Sequence, residues 1–316
     1  MICIYKTSSD TNKHLEKLDS IEPGCWINLI SPSEQEILLI SKKTGVPIEF
    51  LNAALDEEET SRIDIEDNNS LFIFDIPFTE MEENSLTYDT YPLGIIHTED
   101  VLITICLKNS KILTDFIEGN IRSFYTFKRS RFILQILYRV SKYFLLYLRQ
   151  IGKKSLMIQK RLHKSMTNQV LMQLLSLQNS LVYFSTSLKA NEVTLEKMLK
   201  LSIMQKYEED KDILEDVIIE IKQAIEMTGI YGNILNATMD ASANVISNNL
   251  NLVMKLLASV TIVMSIPDIF SGIFGMNVTG LPWSDAPAGP GFSIIISVIL
   301  LSAIASIFFL NKRNMF

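Results

Sequence analysis

Two apolar runs near the end of the chain are each long enough to cross a membrane as a helix. Residues 256–276 carry a single charge, Asp268, over 21 positions, and residues 292–310 carry none over 19 positions. A hydrocarbon core of ~30 Å needs about 20 helical residues, because each residue adds about 1.5 Å. After Asn277, only 14 residues rich in Pro and Gly precede the second run. The pattern predicts two membrane helices joined by a tight loop.

Small and polar residues recur along one side of the first run and of the residues before it. Steps of alternately three and four positions keep one helix face turned toward a bundle. This polar seam consists of Asp240, Asn244, Ser247, Asn251, Met254, Ala258, Thr261, Ser265, Asp268, Gly272 and Gly275. Lipid cannot satisfy polar groups, so the seam must face protein or water. Close helix packing is one explanation, but the carboxylate of Asp268 favours an aqueous or ion-lined face.

Upstream of the membrane runs, short stretches of β-branched and aromatic residues predict strands. The predicted strands are residues 1–5, 25–29, 61–66, 70–77, 88–97 and 101–107, with a hairpin turn at 97–100. Between the second and third of these, Ser31 followed by Pro32 and Glu34 predicts a capped helix start. That helix is expected to end at Thr44-Gly45, and a second short helix to occupy residues 47–55.

From Lys111 the pattern becomes helical and stays so to about Leu201. Residues 132–148 are especially apolar, but Arg139 and Lys142 interrupt them, which predicts a buried helix rather than a membrane span. A polar turn at 207–210 is predicted to precede another long helix. No proline follows until Pro267, so this helix is expected to continue into the membrane.

The charge is confined to the part of the chain before the membrane runs. The first 255 residues hold 34 acids and 27 bases, which is the whole net charge of −7. This acidic balance argues against a nucleic-acid partner, although ordinary solubility explains it equally well. The loop at 278–291 has no Lys or Arg, whereas Lys255, Lys312 and Arg313 flank the runs. The positive-inside rule therefore predicts a multi-pass protein of the cell (inner) membrane with both termini cytoplasmic.

Residue patterns of enzymes and of cofactor sites are not found. Gly275 and Gly280 have the separation of a phosphate-loop pair, but Leu281 and Pro282 stand where Lys and Ser or Thr are required. The three histidines are far apart, and the three cysteines lack the spacing of metal ligands. Asp268 has no catalytic partner on either run. We therefore expect no enzyme activity, no bound nucleotide and no organic cofactor.

Gly275-Met276-Asn277 stands at the outer end of the first run, followed by a short loop and a second run with a basic tail. In this position the tripeptide resembles the signature of the CorA family of Mg²⁺/Co²⁺ transporters, which are divalent-cation channels. The segments that are similar to the family's pore, stalk and cytosolic domain are residues 251–257, 214–226, 25–29 and 55–59. The resemblance covers nearly the whole chain.

The resemblance implies an α+β cytosolic domain, an α/β/α funnel, followed by a long stalk helix and two C-terminal transmembrane helices. The expected divisions are residues 1–125, 126–254 and 255–316, the last with helices at 255–276 and 292–310, an outer loop at 277–291 and a tail at 311–316. It also implies a homopentamer in membrane lipid that takes up Mg²⁺ passively, driven by the membrane potential. Co²⁺ and Ni²⁺ are further candidate ions.

The resemblance assigns roles to residues of the first membrane helix. A ring of five Asn277 side chains, with Gly275 and Met276, would form the outer selectivity site. Neutral amide oxygens can accept hydrogen bonds from the waters of Mg²⁺, which it gives up reluctantly. The matched pore-lining residues are Asp268, Ser265, Thr261, Leu257, Met254, Asn251 and Asp240. Met254 and Leu257 would form an apolar gate that closes by dewetting.

Two positions depart from the family pattern. Asp268 stands where a hydroxyl residue is expected; it either faces the pore or turns aside near Pro267 to bond a neighbouring helix. The family's inhibitory Mg²⁺ bridges carboxylates of adjacent subunits, and Asp216 matches one of them. The matched position on the neighbour is Ala53, which leaves Asp56 and Glu57 as the nearest substitutes.

Two other functions remain open from the sequence. The chain could transport Zn²⁺ with coupling to protons, since Asp268 is a titratable group in the pore. It could also be a membrane-anchored scaffold that conducts nothing.

Overall fold

The computed structural model describes residues 1–8, 15–82, 85–121, 124–162, 167–201, 207–276 and 288–313. Two compact units make up the chain, Met1–Met239 and Asp240–Phe316. The first unit contains a sheet and most of the helices. The second unit contains the two helices of the predicted membrane region.

The first unit is built on a seven-stranded mixed sheet of order β2-β1-β3-β7-β6-β5-β4. Among the described strands, β3 and β7 pair in parallel and the other neighbours are antiparallel. The strands are β1 Ile2–Thr7, β2 Leu15–Leu18, β3 Trp26–Ile30, β4 Arg62–Glu66, β5 Asn69–Glu82, β6 Ser85–His97 and β7 Leu102–Cys106. The hairpin turn predicted between β6 and β7 is confirmed, and Thr98 stabilises it by hydrogen bonds with Val101.

Helices cover both faces of this sheet. The helices are α1 Glu34–Thr44, α2 Ile48–Ala53, α3 Lys111–Ile117, α4 Arg129–Leu162, α5 Asn168–Met198, α6 Glu208–Phe274 and α7 Ala288–Lys312. One buried cluster joins Ile27 and Ile103 of the sheet to Ile40 of α1. A larger cluster joins Trp26 and Phe72 to α3, α4, α5 and the first part of α6. The predicted α/β/α arrangement is confirmed, and burial of this apolar surface is its main stabilising term.

The predicted start of α1 is wrong by two residues. Ser33, not Ser31, is the N-cap: the Ser33 hydroxyl accepts from the Glu36 amide at 3.3 Å, and the Glu36 carboxylate accepts from the Ser33 amide at 2.8 Å. Ser31 instead donates its amide to the carbonyl of Cys106 at 2.9 Å, which prolongs the β3–β7 ladder. The end of α1 at Gly45 is as predicted, with φ 72° in the left-handed region.

Other boundaries differ from the sequence-based expectation in the strands and at the start of α6. Strand β2 was not predicted. Strand β5 ends at Glu82 rather than at residue 77, and β6 begins at Ser85 rather than at residue 88. Glu208–Asp210 form the first turn of α6 rather than a turn before it. Acidic side chains are stabilising there, because the helix dipole is positive at its N-terminus.

The long helices agree with the other predictions. Residues 132–148 of α4 are mostly buried, so this stretch is a core helix and not a membrane span. Helix α6 passes through Pro267 and ends only at Phe274. The predicted continuation of this helix into the first apolar run without a break is therefore confirmed.

Helices α4 and α6 run side by side in the same direction within the first unit. Arg131 donates to Glu209 at 2.7 Å and Lys142 donates to Glu220 at 2.8 Å, both across 78 positions of sequence. Gln159 donates to Thr238 at 2.8 Å across 79 positions. The bonded residues of α4 and α6 are 78 or 79 positions apart at all three places, and these bonds fix the register of the two helices.

The second unit pairs the end of α6 with α7. A cavity of about 450 Å³ between them is lined by Val260, Val263 and Met264 of α6 and by Ile307 and Asn311 of α7. Helices α6 and α7 are both long and apolar enough to cross a membrane.

Candidate functional site

The polar seam lies on the open side of α6. From Asn251 to Gly275, its residues are exposed, except for Ser265, which is half-buried. On α6, the less exposed residues include Ser259, Val263, Ile266 and Phe270. At roughly 100° per residue, this second set lies about half a turn around the helix from the seam. The seam is therefore not the face that the rest of the chain covers.

The hydroxyl groups of Thr261 and Ser265 in the seam are fixed in orientation by their own helix. Thr261 Oγ1 donates to the carbonyl oxygen of Leu257 at 2.9 Å, and Ser265 Oγ donates to that of Thr261 at 2.8 Å. A hydroxyl has one proton and two acceptor lone pairs. Since both protons are used along the helix, both oxygens present only acceptor sites to the open side. Acceptors are what the water shell of a cation requires.

Asp268 follows Pro267 on the same open side. Its side chain is exposed, and no residue within the described ranges forms a hydrogen bond or ion pair with its carboxylate. Pro267 has no amide proton, so the carbonyl of Val263 lacks its usual helical donor. Asp268 thus adds a free negative charge to the acceptors of Thr261 and Ser265.

The residues predicted to form the apolar gate and the end of the helix also lie along this side. Met254 and Leu257 expose 56% and 59% of their surface, and Asn251 and Asp240 are exposed as well. A side chain at Gly275 would place its Cβ only 2.9 Å from the Ser271 carbonyl oxygen, so glycine suits this close turn. Met276 donates its amide to Ile273 at 3.3 Å. Asn277, the predicted selectivity residue, lies outside the described residues.

The predicted regulatory carboxylates are all on the surface of the first unit. Asp216, Asp56 and Glu57 are exposed, while Ala53 is the half-buried last residue of α2. Asp56 already accepts a hydrogen bond from the Glu58 amide at 3.0 Å. In the parts of one chain that the structure describes, no three His, Cys, Asp or Glu residues are grouped to hold a metal ion.

A cavity of about 940 Å³ in the first unit contains charges of both signs. It is lined by His97, by Lys128, Arg129 and Arg131 at the start of α4, and by Glu208, Glu209 and Asp210 at the start of α6. Burial, together with the charge of Arg129, lowers the pKa of His97 to about 4. Burial raises the pKa of the Asp210 carboxyl. His97 is therefore neutral at physiological pH.

The sequence-based prediction of functional residues missed one charged feature. Between Glu118 and Glu192 the sequence has no Asp or Glu but 13 Lys and Arg residues. This stretch includes α4 and α5 up to Asn191. Counting the charges segment by segment, rather than over the first 255 residues together, would have revealed it.

Comparison with known proteins places the chain in a family. The family model described as CorA-like Mg²⁺ transporter protein matches residues 22–313, more than nine-tenths of the chain. The cobalt/magnesium transport protein CorA of Methanocaldococcus jannaschii is 26% identical, covering 98% of each chain. The magnesium transport protein CorA of Helicobacter pylori is 22% identical, covering 92% of this chain and 90% of that protein.

A solved structure extends the likeness to the fold. The complete structure of the CorA magnesium transporter from M. jannaschii superimposes with a TM-score of 0.82 at 24% identity, covering 98% of this chain and 96% of that one. The family match makes the chain a transporter rather than an enzyme, and its two apolar helices fit a membrane protein. The chain belongs to the family of CorA-like Mg²⁺ transporter proteins.

Proposed function

We propose that the protein is a homopentameric channel that takes up Mg²⁺ passively through a pore lined by five copies of the polar seam. The observation that carries the proposal is the exposed side of α6, where Thr261, Ser265 and Asp268 present acceptors and no donors. The relatives' names, cobalt/magnesium and magnesium transport protein, support the choice of ion. Co²⁺ and Ni²⁺ are secondary substrates in this proposal.

The seam suits an ion that moves with its water shell. Mg²⁺ holds its waters tightly and usually keeps several of them when bound. Water hydrogens of the shell donate to the oxygens of Thr261 and Ser265, and to the amide oxygens of an Asn277 ring at the outer mouth. The carboxylates of Asp268 attract the cation without displacing all of its waters.

The membrane potential is a sufficient driving force. One charge moving through 100 mV gains ~2.3 kcal/mol, and a divalent ion gains about twice that. Rings of Met254 and Leu257 close the pore by excluding water when the subunits bring them together. Both side chains are more than half exposed in a single chain, which leaves them available for such rings.

Intracellular Mg²⁺ is proposed to hold the pore closed by bridging neighbouring subunits. Asp216 of one subunit and Asp56 or Glu57 of the next are the ligands, all of them exposed. The test replaces Asp216 with Ala and uses Asp212→Ala, an exposed carboxylate one turn earlier, as control. The inhibitory Mg²⁺ concentration should rise only for Asp216→Ala, and an unchanged value would remove this residue from the regulatory site.

The proposed organisation has a cytosolic α/β region at 1–125, a helical region with the stalk at 126–254 and a pore region at 255–316. Both termini face the cytoplasm of the cell (inner) membrane. Labelling of single cysteines placed in the tail and in the outer loop tests this orientation. Access to the loop from inside would contradict it.

Proton-coupled Zn²⁺ transport is the second candidate, and the free carboxylate of Asp268 favours it. Proteoliposomes separate the two functions by imposing a membrane potential or a proton gradient alone. Mg²⁺ influx that follows the potential and ignores the proton gradient supports the channel. Zn²⁺ flux that requires the proton gradient, with no Mg²⁺ flux, supports the alternative.

A further inference from the structure

Two charged side chains of the first unit each have a buried atom without a hydrogen-bond partner, and both line the same cavity. Among the residues that the structure describes, four buried side-chain atoms form no hydrogen bond: Arg129 Nε, Arg139 Nε, Ser155 Oγ and Asp210 Oδ1. Arg129 and Asp210 line the cavity of about 940 Å³ at the starts of α4 and α6. Buried polar atoms are nearly always hydrogen-bonded, so two unpaired atoms at one cavity require an explanation.

Asp210 is almost completely buried. Only 3% of its surface is exposed. Arg131 Nε lies 4.0 Å from Asp210 Oδ1, which is an ion-pair distance but too long for a hydrogen bond. A buried carboxylate oxygen without a hydrogen bond is costly, and burial is also what raises the pKa of Asp210. Carboxyl groups perturbed in this way and lining a cavity are typical of functional sites.

The other charged groups of the cavity have partners or are solvated. Arg131 donates to Glu209 at 2.7 Å. Lys128 lies over an aromatic ring, 5.2 Å from its centroid. Glu208 is exposed, and His97 is neutral at physiological pH because burial lowers its pKa to about 4. None of these groups needs a further ligand.

The guanidinium of Arg129 and the carboxyl group of Asp210 therefore remain available inside the cavity. Arg129 is half-buried and, among the described residues, pairs with no acidic side chain, Asp210 included. Arg129 offers donors only, and ionised Asp210 offers acceptors only. A molecule that satisfies both must carry an anionic acceptor and a cationic donor.

We propose that this cavity binds a small zwitterion of the α-amino-acid type. The carboxylate of the ligand accepts hydrogen bonds from Arg129, whose planar guanidinium matches carboxylate geometry. The ammonium group of the ligand donates to Asp210 Oδ1. A metal ion or a phosphate alone would satisfy one of the two groups and leave the other unpaired. A zwitterion has no net charge, which matches a lining of three bases and three acids.

Aromatic residues of the cavity favour an amino acid with a large apolar side chain. Phe127 exposes 46% of its surface and Tyr207 exposes 59%, and both line the cavity. Aromatic rings bury a large apolar area when they pack against one another. The cavity volume is at the upper end of the range for small-molecule sites, so a ring fits beside the charged groups. L-phenylalanine is therefore the probe.

The test is calorimetric titration of the full-length protein in detergent with L-phenylalanine and two analogues. 3-Phenylpropionate lacks the ammonium group, and phenethylamine lacks the carboxylate. Each analogue should bind at least about tenfold more weakly than L-phenylalanine, because a charge-assisted hydrogen bond is lost and one buried group stays unpaired. Glycine should also bind more weakly, because it lacks the ring.

Two substitutions assign the ends of the ligand. Arg129→Gln should remove the difference in affinity between L-phenylalanine and phenethylamine, since the carboxylate then has no partner. Asp210→Asn should remove the difference between L-phenylalanine and 3-phenylpropionate. Asp212→Asn changes an exposed acid two positions further along α6 and should keep the wild-type affinities.

Thermal unfolding without ligand separates a binding role of Asp210 from a structural one. Asp210→Asn should unfold at the same temperature as the wild type or at a higher one, because the change removes a buried charge that lacks a hydrogen bond. A lower unfolding temperature would assign Asp210 to the stability of the fold and overturn the proposal.

Two further results overturn it. No detectable binding of L-phenylalanine at millimolar concentration means that water alone satisfies Arg129 and Asp210. Equal affinity for L-phenylalanine and both analogues means that the ring alone is recognised. Ion flux is not measured in either experiment, so neither result bears on the proposed channel.

Discussion

The hydroxyl of Ser265 donates to the carbonyl oxygen of Thr261 at 2.8 Å, one turn earlier on α6. Thr261 does the same with Leu257 at 2.9 Å. These bonds consume the hydroxyl protons of Thr261 and Ser265, so at these two positions the helix offers oxygen lone pairs alone. A hydrated cation finds hydrogen-bond acceptors at these positions, whereas an anion finds no hydrogen-bond donors from the two hydroxyl groups.

Replacing Ser265 with Ala should lower Mg²⁺ flux severalfold without unfolding the protein. The substitution removes an acceptor from the pathway, while the lost hydroxyl–carbonyl bond contributes little to helix stability. Influx into proteoliposomes and thermal unfolding measure the two effects. Ser297→Ala is the matched control, because Ser297 makes the same 2.8 Å bond to Ser293 in α7, away from the seam. Equal losses from both variants would show that the position on the seam is irrelevant.

Replacing Asp268 with Asn should weaken binding of the divalent ion in the pore. The side chain keeps its shape and loses its charge, so the Mg²⁺ concentration for half-maximal flux should rise about tenfold, or ~1.4 kcal/mol. Flux titrations with Mg²⁺ and Co²⁺ provide the measurement. An unchanged titration would mean that Asp268 turns away from the pathway.

Gly152 allows α4 and α6 to approach each other. A Cβ at this position would lie 2.7 Å from the ring of Tyr231, so Gly152→Ala should destabilise the first unit by about 1–3 kcal/mol. Gly229 has open space around its Cβ position, and Gly229→Ala should be neutral or stabilise by up to about 1 kcal/mol. Thermal unfolding compares the two. A milder loss in Gly152→Ala/Tyr231→Ala than the sum of the single changes would confirm the clash, whereas simple additivity would argue against it.

His97 should make the protein less stable in mild acid. Its pKa is lowered to about 4 in the folded protein by burial and by Arg129, so between about pH 6.5 and pH 4 the unfolded chain binds the proton and the folded protein does not. Stability is therefore complete above about pH 6.5 and is lost as pH falls, by about 2 kcal/mol at pH 5. Unfolding of wild type and His97→Gln at several pH values measures this difference. Parallel pH profiles of the two proteins would exclude His97 as the cause.

The main features of the fold could be predicted because they rest on long patterns. The apolar runs of α6 and α7, and the interruption of residues 132–148 by Arg139 and Lys142, determine which helices are buried in protein. Shorter signals were ambiguous. Ser31 and Ser33 both precede a glutamate by three positions, and only the side chain of Glu36 on the Ser33 amide distinguishes the true cap.

The site could be predicted less completely than the fold. Position along the seam follows from helical spacing, but the direction of the hydroxyl protons of Thr261 and Ser265 depends on the backbone that they bond. The α4–α6 register depends on contacts between residues 78 positions apart, such as Lys142 and Glu220, which no local pattern contains. Asn277, the residue with the strongest sequence signal, lies outside the described residues and stays a prediction.

Mg²⁺ influx is the most direct test of the proposed channel. Proteoliposomes loaded with a fluorescent indicator should show potential-driven influx for the wild type. Asn277→Ala should remove most of it, because the ring of amide oxygens that holds the hydrated ion is lost. Asp268→Ala should reduce influx or change the preference between Mg²⁺ and Co²⁺. Equal influx from all three proteins would contradict the assigned pore, and no influx from the wild type would contradict the channel itself.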